Sequence, residues 1–403
     1  MRILISSIAG YGHICPVIPL ALALKRVGHE VAFATSRSFE LELGKLGLSV
    51  LAVGPDWKES EFATDKANHP PVEGFRTDMG VFFNEQLVPA MTRDINNLVA
   101  LWKPDIILSN EYEPAGAAVA EKYGLPFALL SYGPRVTRSV RAAWHNAFHN
   151  IARGVMRLAP CPTMEYSHRW LHLYFSPIDY VFGDQPYTEE DNEFGIRPEI
   201  YDGFGFSSES RSVGGQSSGG RVALCTFGTV FNKNPEVFRA IIDNASKQVD
   251  RLLVMLGPGL KHTQLKMIPA NVELYRYQPL SAILPNVDFC ITHGGTATLM
   301  SVLMSGKPSF LLPQGADQII NALTCTQHKL GVAKVDMTMA DPTRQISSIP
   351  PGVIGEGVTE LIENPIYKER CEQFRHKSGV MPTLTFATSL LEQLAATGKP
   401  VAK

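Results

Sequence analysis

The chain has 403 residues, of which 45% are hydrophobic and 19% are charged, and its formal net charge is −2. This composition excludes a disordered chain, and the small net charge argues against nucleic acid or an anionic membrane as a partner. The length favours two domains. Six scattered cysteines without a C-x-x-C pair argue against a zinc ribbon or a thioredoxin-like centre.

Short β-branched runs alternate with helical stretches in the first half of the chain. The apolar run near the N-terminus is too short to cross a membrane, so we predict no membrane insertion. The scattered cysteines suit buried thiols in a reducing cytoplasm, so we predict a cytoplasmic protein. The predicted strands are 3–6, 30–34, 49–53, 105–109 and 127–131, and the predicted helical segments are 16–27, 41–46, 114–123 and 135–157.

A Gly/Ser-rich segment, 207–220, is typical of a flexible linker. A second alternating series follows, with strands at 221–227, 251–256, 272–275, 289–293 and 309–312 and helices at 235–248, 296–305, 317–330 and 384–395. Strands that alternate with helices predict an α/β fold of parallel, doubly wound sheets. We predict two Rossmann-like domains, 1–206 and 221–380, facing across a cleft, with 381–403 as a C-terminal helix.

The first candidate motif is Gly10-Tyr11-Gly12-His13, between a predicted strand and a predicted helix. Two glycines would let the backbone turn tightly. Cys15 stands where a dinucleotide fingerprint needs glycine, which argues against an NAD site. His13 is either a general base in the cleft or a histidine that caps or packs at a helix start, and position alone favours neither.

The strongest motif is His293-Gly294-Gly295, followed by a predicted helix that contains Thr298. The backbone amides and the dipole of a helix start favour an anion, and a histidine and a threonine hydroxyl can add hydrogen bonds to phosphate. We interpret it as a diphosphate-binding turn rather than a simple strand-to-helix connection.

Two weaker motifs also follow predicted strands. The pair Gly228-Thr229 can meet a phosphate. Asp317 is either a helix N-cap or, with Gln318, a pair that holds vicinal sugar hydroxyls.

The acidic run 189–191 is expected to be solvated surface, and no D-x-D pair stands at a strand end, so no metal site is expected.

Taken in order, these segments resemble those of a known family. They are Gly12-His13 with Pro16 following, Gly28-His29-Glu30-Val31, Tyr277-Gln278-Pro279, His293-Gly294-Gly295 and Ala316-Asp317-Gln318 with Asn321. Nearly the whole chain is similar to the inverting natural-product glycosyltransferases of the GT-B fold, family GT1, which are bacterial relatives of UDP-glucuronosyltransferases.

The resemblance implies that the N-terminal domain binds the acceptor, that the C-terminal domain binds the nucleotide sugar, and that a final helix returns to the first domain. It implies that His13 takes the proton of the acceptor hydroxyl and that the diphosphate leaves without help from a metal or another cofactor. The donor contacts that it implies are Gly12, Gly228, Thr229, Tyr277 stacked on the base, His293, Gly294, Gly295, Ala297, Thr298, and Asp317 and Gln318 on the sugar.

The chain departs from the family at three positions. Ala297 replaces a usual glycine, which predicts a tighter phosphate pocket. The acidic residue that commonly orients the catalytic histidine falls on Asn110, with Glu111 beside it; we expect Asn110 to use its amide oxygen. Ser301 replaces the glutamate with which UDP-using relatives grip both ribose hydroxyls. A deoxyribose lacks the 2′-hydroxyl, so we predict a dTDP-sugar, with a UDP-sugar as the alternative.

We expect the acceptor to be an apolar secondary metabolite such as a polyketide, held by Phe82, Phe83, Trp144 and Phe148, although each of these aromatic residues can also be core. Three alternatives stay open: a sugar-nucleotide 2-epimerase, a cell-wall transferase on the same fold, and a non-catalytic activator protein. The sequence also leaves a homodimer open.

Overall fold

The computed structural model describes residues 1–57, 80–183, 187–204, 219–333 and 352–403. The chain divides into two compact units. Within the described residues, the first unit contains the chain up to Tyr201 together with Val380–Lys403, and the second contains Asp202–Gly379. The segment 207–218 of the predicted linker lies outside the described residues, and so does 58–79 of the long loop-like region.

In its described part, the first unit is built on a seven-stranded parallel sheet with the order β3-β2-β1-β4-β5-β6-β7. The strands are β1 (Arg2–Ser6), β2 (Glu30–Thr35), β3 (Ser49–Ala52), β4 (Ile106–Asn110), β5 (Phe127–Tyr132), β6 (Leu171–Phe175) and β7 (Glu193–Gly195). β4 and β6 are buried along their whole length, as expected for strands covered by helices on both faces.

The helices of this unit are α1 (Tyr11–Ile14), α2 (Ile18–Arg26), α3 (Glu40–Lys45), α4 (Val88–Trp102), α5 (Pro114–Tyr123), α6 (Arg138–Val155), α7 (Glu165–Arg169) and α14 (Leu384–Thr397), with a π-helical turn at Phe82–Leu87 and a 3₁₀ turn at Arg37–Phe39. The C-terminal helix α14 packs on α2 and β6. The single helix predicted over 16–27 is wrong at its start, because α1 ends before Pro16 and α2 begins next to Pro19, a residue that the first turn of a helix accepts.

The second unit has a parallel sheet whose described strands follow the order β10-β9-β8-β11-β12-β13. These strands are β8 (Val222–Thr226), β9 (Arg251–Met255), β10 (Val272–Tyr275), β11 (Phe289–Thr292), β12 (Ser309–Leu311) and β13 (Gly331–Ala333). Its helices are α8 (Pro235–Ala245), α9 (Leu280–Ile283), α10 (Thr296–Met304), α11 (Gln318–Gln327), α12 (Val353–Glu363) and α13 (Ile366–Gly379), with 3₁₀ turns at Ser246–Gln248, His262–Gln264 and Leu284–Asn286.

Both units are therefore Rossmann-like, as the alternating pattern predicted. The predicted strands and helices of the second half match β8–β12, α8, α10, α11 and α14 within a few residues at their ends. In the part of the chain that the structure describes, no helix is both long and apolar enough to span a bilayer.

A buried charged network lies under α6 in the first unit. Arg141, 1% exposed, places Nη1 2.7 Å from Oε1 of Glu111. Arg135 is fully buried and pairs with Glu189 at 2.8 Å. The expectation that the run 189–191 is merely solvated surface is wrong for Glu189, because a buried guanidinium needs a counter-ion.

Four histidines of this region are buried as neutral groups. Burial lowers the pKa of His145 and of His149 to about 3, and it holds the pKa values of His168 and His172 well below the usual 6.5. A histidine in the unfolded chain takes up a proton as the pH falls below about 6.5, whereas these four buried histidines stay neutral at that pH. These histidines therefore do not lower the free energy of unfolding above pH 6.5, and they lower it progressively as the pH decreases towards their folded pKa values.

We expect the free energy of unfolding of the first unit to fall between pH 6 and pH 4, with each such histidine contributing about 1.4 kcal/mol per pH unit. Urea unfolding followed by tryptophan fluorescence measures this unit alone, because all four tryptophans lie in it. His149→Gln should reduce the slope by about 1.4 kcal/mol per pH unit. An unchanged slope in this variant would contradict the assignment.

Candidate active site

Two side chains hold the turn between β11 and α10 in the second unit: that of Asn321 in α11 and that of Asp317, which directly precedes α11. Asp317 accepts a hydrogen bond at Oδ2 from the Thr296 amide at 3.1 Å and another from the Thr296 hydroxyl. Asn321 donates from Nδ2 to the carbonyl oxygen of Gly294 at 2.8 Å and to Oδ2 of Asp317 at 3.1 Å. These bonds hold the first residue of α10 in place.

The same bonds bear on one of the two interpretations of Asp317, the N-cap, and the contact with sugar hydroxyls stays a prediction. It does not cap its own helix α11 through its side chain; it binds Thr296 at the start of α10 instead. Gln318 is buried, and its Oε1 accepts from the Gln314 amide at 2.8 Å. Both residues thus shape the turn, and Oδ1 of Asp317 has no hydrogen-bond partner among the described residues.

His293 lies against two glycines. A Cβ atom at Gly228 would be 3.0 Å from Nε2 of His293, and one at Gly295 would be 2.5 Å from it. Gly228 also has φ +65°, a conformation that glycine adopts without strain. Burial lowers the pKa of His293 to about 4, so its ring is neutral at physiological pH. Thr292 places its hydroxyl 3.2 Å from Nδ1 of the ring.

The first turn of α10 offers unused donors. Within the described residues, the amides of Ala297 and Thr298 have no acceptor, and the Thr298 hydroxyl has no hydrogen-bond partner. Both residues are half-buried. A helix start with free amides, beside a neutral imidazole, is suited to an anion such as a diphosphate.

The turn after β8 contains Gly228 and Thr229 and depends on a residue that sequence reasoning missed. Asn232, fully buried, donates to the Gly228 carbonyl at 2.6 Å and accepts from the Gly259 amide at 2.9 Å. A lone amide side chain within the otherwise apolar stretch 230–232 is the signal that could have revealed it.

Tyr277 and Ser301, which were singled out for the predicted nucleotide site, both donate their hydroxyl protons to backbone carbonyls. Tyr277 donates its hydroxyl proton to the carbonyl of Asp202 at 2.6 Å and is half-buried. Ser301 donates its hydroxyl proton to the carbonyl of Ala297, one turn earlier in α10, at 2.9 Å. The Ser301 side chain is thus engaged with its own helix, one turn from the free amides.

In the first unit, β1 is followed by α1, which carries Gly12 and His13. The chain turns tightly here, since the Gly10 amide donates to the Ile8 carbonyl at 2.9 Å. Neither Gly10 nor Gly12 has a positive φ, so this turn does not depend on a backbone conformation that favours glycine. Gly12 is exposed and a Cβ atom there would meet nothing within 4 Å. What this glycine provides is open space beside His13.

The structure brings Asn110 to His13, but with a different atom from the one predicted. Nδ2 of Asn110 lies 3.4 Å from Nδ1 of His13, while Oδ1 of Asn110 accepts from the Tyr112 amide at 3.1 Å. The expectation that the amide oxygen orients the ring is therefore wrong, since the oxygen is already engaged. The carboxylate of Glu111 pairs instead with the buried guanidinium of Arg141, which needs a counter-charge. The neighbouring residues Asn110 and Glu111 thus have different partners.

Tyr112, which sequence reasoning also missed, links His13 to helix α6. Its ring centroid is 5.5 Å from that of His13 and 4.9 Å from that of His145, edge-on in both cases. His145 is on the helix that also carries Trp144 and Phe148, two of the predicted acceptor contacts.

Three of the four predicted acceptor residues form one aromatic group. Phe82 and Phe83 contact each other at 6.3 Å between centroids, and Phe83 lies 6.2 Å from Phe148. Trp144 lies instead against Phe182 at 5.7 Å. All four predicted residues are half-buried rather than core, so each keeps exposed aromatic surface.

Comparison with known proteins relates the chain to natural-product biosynthesis proteins. Residues 22–154 match the family model of the N-terminal domain of erythromycin biosynthesis protein CIII-like proteins, and residues 239–394 match the model of the C-terminal domain. The chain is 26% identical to the L-demethylnoviosyl transferase of Streptomyces niveus, over 93% of this chain and 95% of that protein.

Two other similarities extend over nearly the full length. The chain is 23% identical to the 3-alpha-mycarosylerythronolide B desosaminyl transferase of Saccharopolyspora erythraea, over 98% of this chain and 99% of that one. The structure of the Streptomyces sp. SF2575 glycosyltransferase SsfS6, complexed with thymidine diphosphate, superposes with a TM-score of 0.71 at 20% identity and covers 98% of this chain and 99% of its own.

Proposed function

The chain belongs to the erythromycin biosynthesis protein CIII-like family of natural-product glycosyltransferases, with the GT-B fold, and from that premise we propose that it transfers a deoxysugar from dTDP to a hydroxyl of an apolar polyketide. The observation that carries this proposal is the start of α10, where two amides and the Thr298 hydroxyl have no partner among the described residues and the neutral His293 lies beside them. A diphosphate fits these donors because it needs several hydrogen bonds and gains from the helix dipole.

The relatives support the donor and acceptor classes. A desosaminyl transferase and an L-demethylnoviosyl transferase are named for sugars, and the first also names a macrolide precursor, 3-alpha-mycarosylerythronolide B, as its substrate. The SsfS6 structure holds thymidine diphosphate. We propose that the first unit binds the acceptor near His13 and that the second binds the donor.

The transfer inverts the anomeric carbon in a single displacement and needs no metal or cofactor besides the nucleotide sugar. The leaving diphosphate gains its negative charge as the glycosidic bond breaks, and the α10 amides are donors for that charge. A mass-spectrometric screen of polyketide acceptors, with an α-configured donor and with EDTA, tests metal independence, and NMR of the product tests inversion: undiminished turnover and a β-configured product are expected. Conversion of the donor in the absence of acceptor would instead support the epimerase alternative.

Donor choice gives a separate prediction centred on Ser301. Its hydroxyl donates to the Ala297 carbonyl within α10, so this side chain does not offer the carboxylate with which a glutamate would grip a ribose 2′-hydroxyl. We expect wild type to prefer a dTDP-sugar over the same UDP-sugar in kcat/KM. Ser301→Glu should shift this ratio towards UDP by about 10-fold, the worth of one charge-assisted hydrogen bond.

The matched control is Ser305→Glu, since Ser305 lies one turn further along and also donates to a backbone carbonyl. This variant should leave the donor ratio unchanged. A clear UDP preference in wild type would rule out the dTDP assignment.

A further inference from the structure

The contact between Asn110 and His13 specifies which nitrogen of the imidazole carries the proton. Oδ1 of Asn110 accepts from the Tyr112 amide at 3.1 Å. An amide nitrogen has no free lone pair and cannot accept that bond, so the amide cannot be turned over. Asn110 therefore presents Nδ2, a donor, to Nδ1 of His13 at 3.4 Å.

A donor that faces Nδ1 requires that Nδ1 be an acceptor. In a neutral imidazole one nitrogen accepts and the other donates, so the proton of His13 is on Nε2. A carboxylate at position 110 would do the reverse: it would hold the proton on Nδ1 and leave Nε2 free to accept one. Asn110 is thus a positioning residue that sets the tautomer of His13.

A ring with its proton on Nε2 cannot remove a proton through Nε2, but it can donate a hydrogen bond from that atom. Such a donor stabilises an oxygen that is already negative. Aliphatic alcohols ionise far less readily than phenols or enols, so without a base they are poor nucleophiles at neutral pH. The chemistry available to His13 in this state suits an acidic hydroxyl.

On these grounds, and resting on the proposed transfer function, we propose that Asn110 holds His13 as an Nε2–H donor and that the acceptor hydroxyl is phenolic or enolic. The phenolic O–H releases its proton to water. The phenolate oxygen, held by Nε2–H, forms the new bond to the anomeric carbon while the bond from that carbon to the diphosphate oxygen breaks. The diphosphate leaves with that electron pair.

The aromatic side chains of the first unit fit this class of acceptor. Phe82, Phe83 and Phe148 form a half-buried group, and Phe148 is on the same helix as His145, which Tyr112 joins to His13. Aromatic rings stack or meet edge to face with a planar aromatic substrate.

Imidazole ¹⁵N NMR of the full-length protein tests the tautomer without activity. The His13 signals, assigned by their loss in His13→Gln, should show Nε2 protonated and Nδ1 unprotonated in wild type, and the reverse in Asn110→Asp. Aspartate is nearly isosteric and can still accept from the Tyr112 amide, so the variant keeps the local fold. Protonation of Nδ1 in wild type would overturn the proposal.

Turnover tests the acceptor class. With a dTDP-sugar and paired acceptors of similar size, one a naphthol and one the corresponding saturated alcohol, wild type should use the naphthol at least 100-fold faster, and ring substituents that acidify the naphthol should raise its rate. Asn110→Asp should increase transfer to the alcohol by about 10-fold or more, because it creates a base at Nε2.

Equal wild-type rates with both acceptors, or a loss of alcohol transfer in Asn110→Asp, would overturn the proposal. Absence of transfer to any acceptor by wild type and variant alike would instead count against the proposed glycosyl transfer, and the NMR result would still decide the tautomer.

Discussion

Gly295→Ala is expected to lower kcat/KM for the donor by about 100-fold or more, comparable with the loss of one transition-state hydrogen-bond donor. The new Cβ atom would lie 2.5 Å from Nε2 of His293, closer than such contacts allow, and the ring is itself buried beside Phe227 and Phe231. Either the ring or the first turn of α10 must move, and both are parts of the proposed diphosphate site.

The effect acts through that contact and not through the backbone. Gly295 has φ −60° and ψ 136°, which alanine adopts without strain, so the variant should fold. Steady-state kinetics and calorimetric titration with dTDP measure the loss. The matched control is Gly379→Ala in the same unit, where a Cβ atom meets nothing within 4 Å. Wild-type affinity and turnover in Gly295→Ala would contradict the proposed site.

His13→Ala is the second variant with a large expected effect: glycosylation should fall by about 100- to 10,000-fold, the range for loss of a side chain that acts on the reacting proton or oxygen. The half-buried ring contributes little packing, so the unfolding transition should stay close to that of wild type. Binding of dTDP, which the second unit is proposed to provide, should also stay close to that of wild type.

Product formation measured by mass spectrometry, with dTDP titration alongside, separates these outcomes. The exposed His376 supplies the control, since His376→Ala removes an imidazole from the surface of α13. Retention of near wild-type glycosylation by folded His13→Ala would remove His13 from the reaction, whether as base or as donor.

The two variants test sites that differ in how far the sequence determines their geometry. The turn at His293 was predictable because its determinants are consecutive: a strand that ends in histidine, two glycines and a helix. Local geometry follows from such a run, since the glycines admit the close contact with the ring and the helix start leaves its amides free. The alternation of β-branched and helical segments likewise predicted the two Rossmann-like folds.

Asn110 shows what the sequence alone did not determine. Its place opposite His13 was predicted from the family pattern, but the atom it presents depends on the Tyr112 amide, which competes for Oδ1. Glu111 was similarly assigned to His13 by proximity in the chain, whereas the buried Arg141 engages its carboxylate. A buried cation requires a counter-charge, and that requirement is visible only when the packing is known.

The sequence by itself thus determined the parallel α/β architecture, the strand-to-helix turn at His293 and the positions of His13 and Asn110, because each depends on neighbouring residues or on a recurring order of motifs. The tertiary structure alone decided which side-chain atoms meet: Asp317 with Thr296, Glu111 with Arg141, and Nδ2 of Asn110 with Nδ1 of His13. The physical reason is competition, because each polar atom binds the partner that packing brings to it, and His13 and Asn110 are 97 residues apart in the chain.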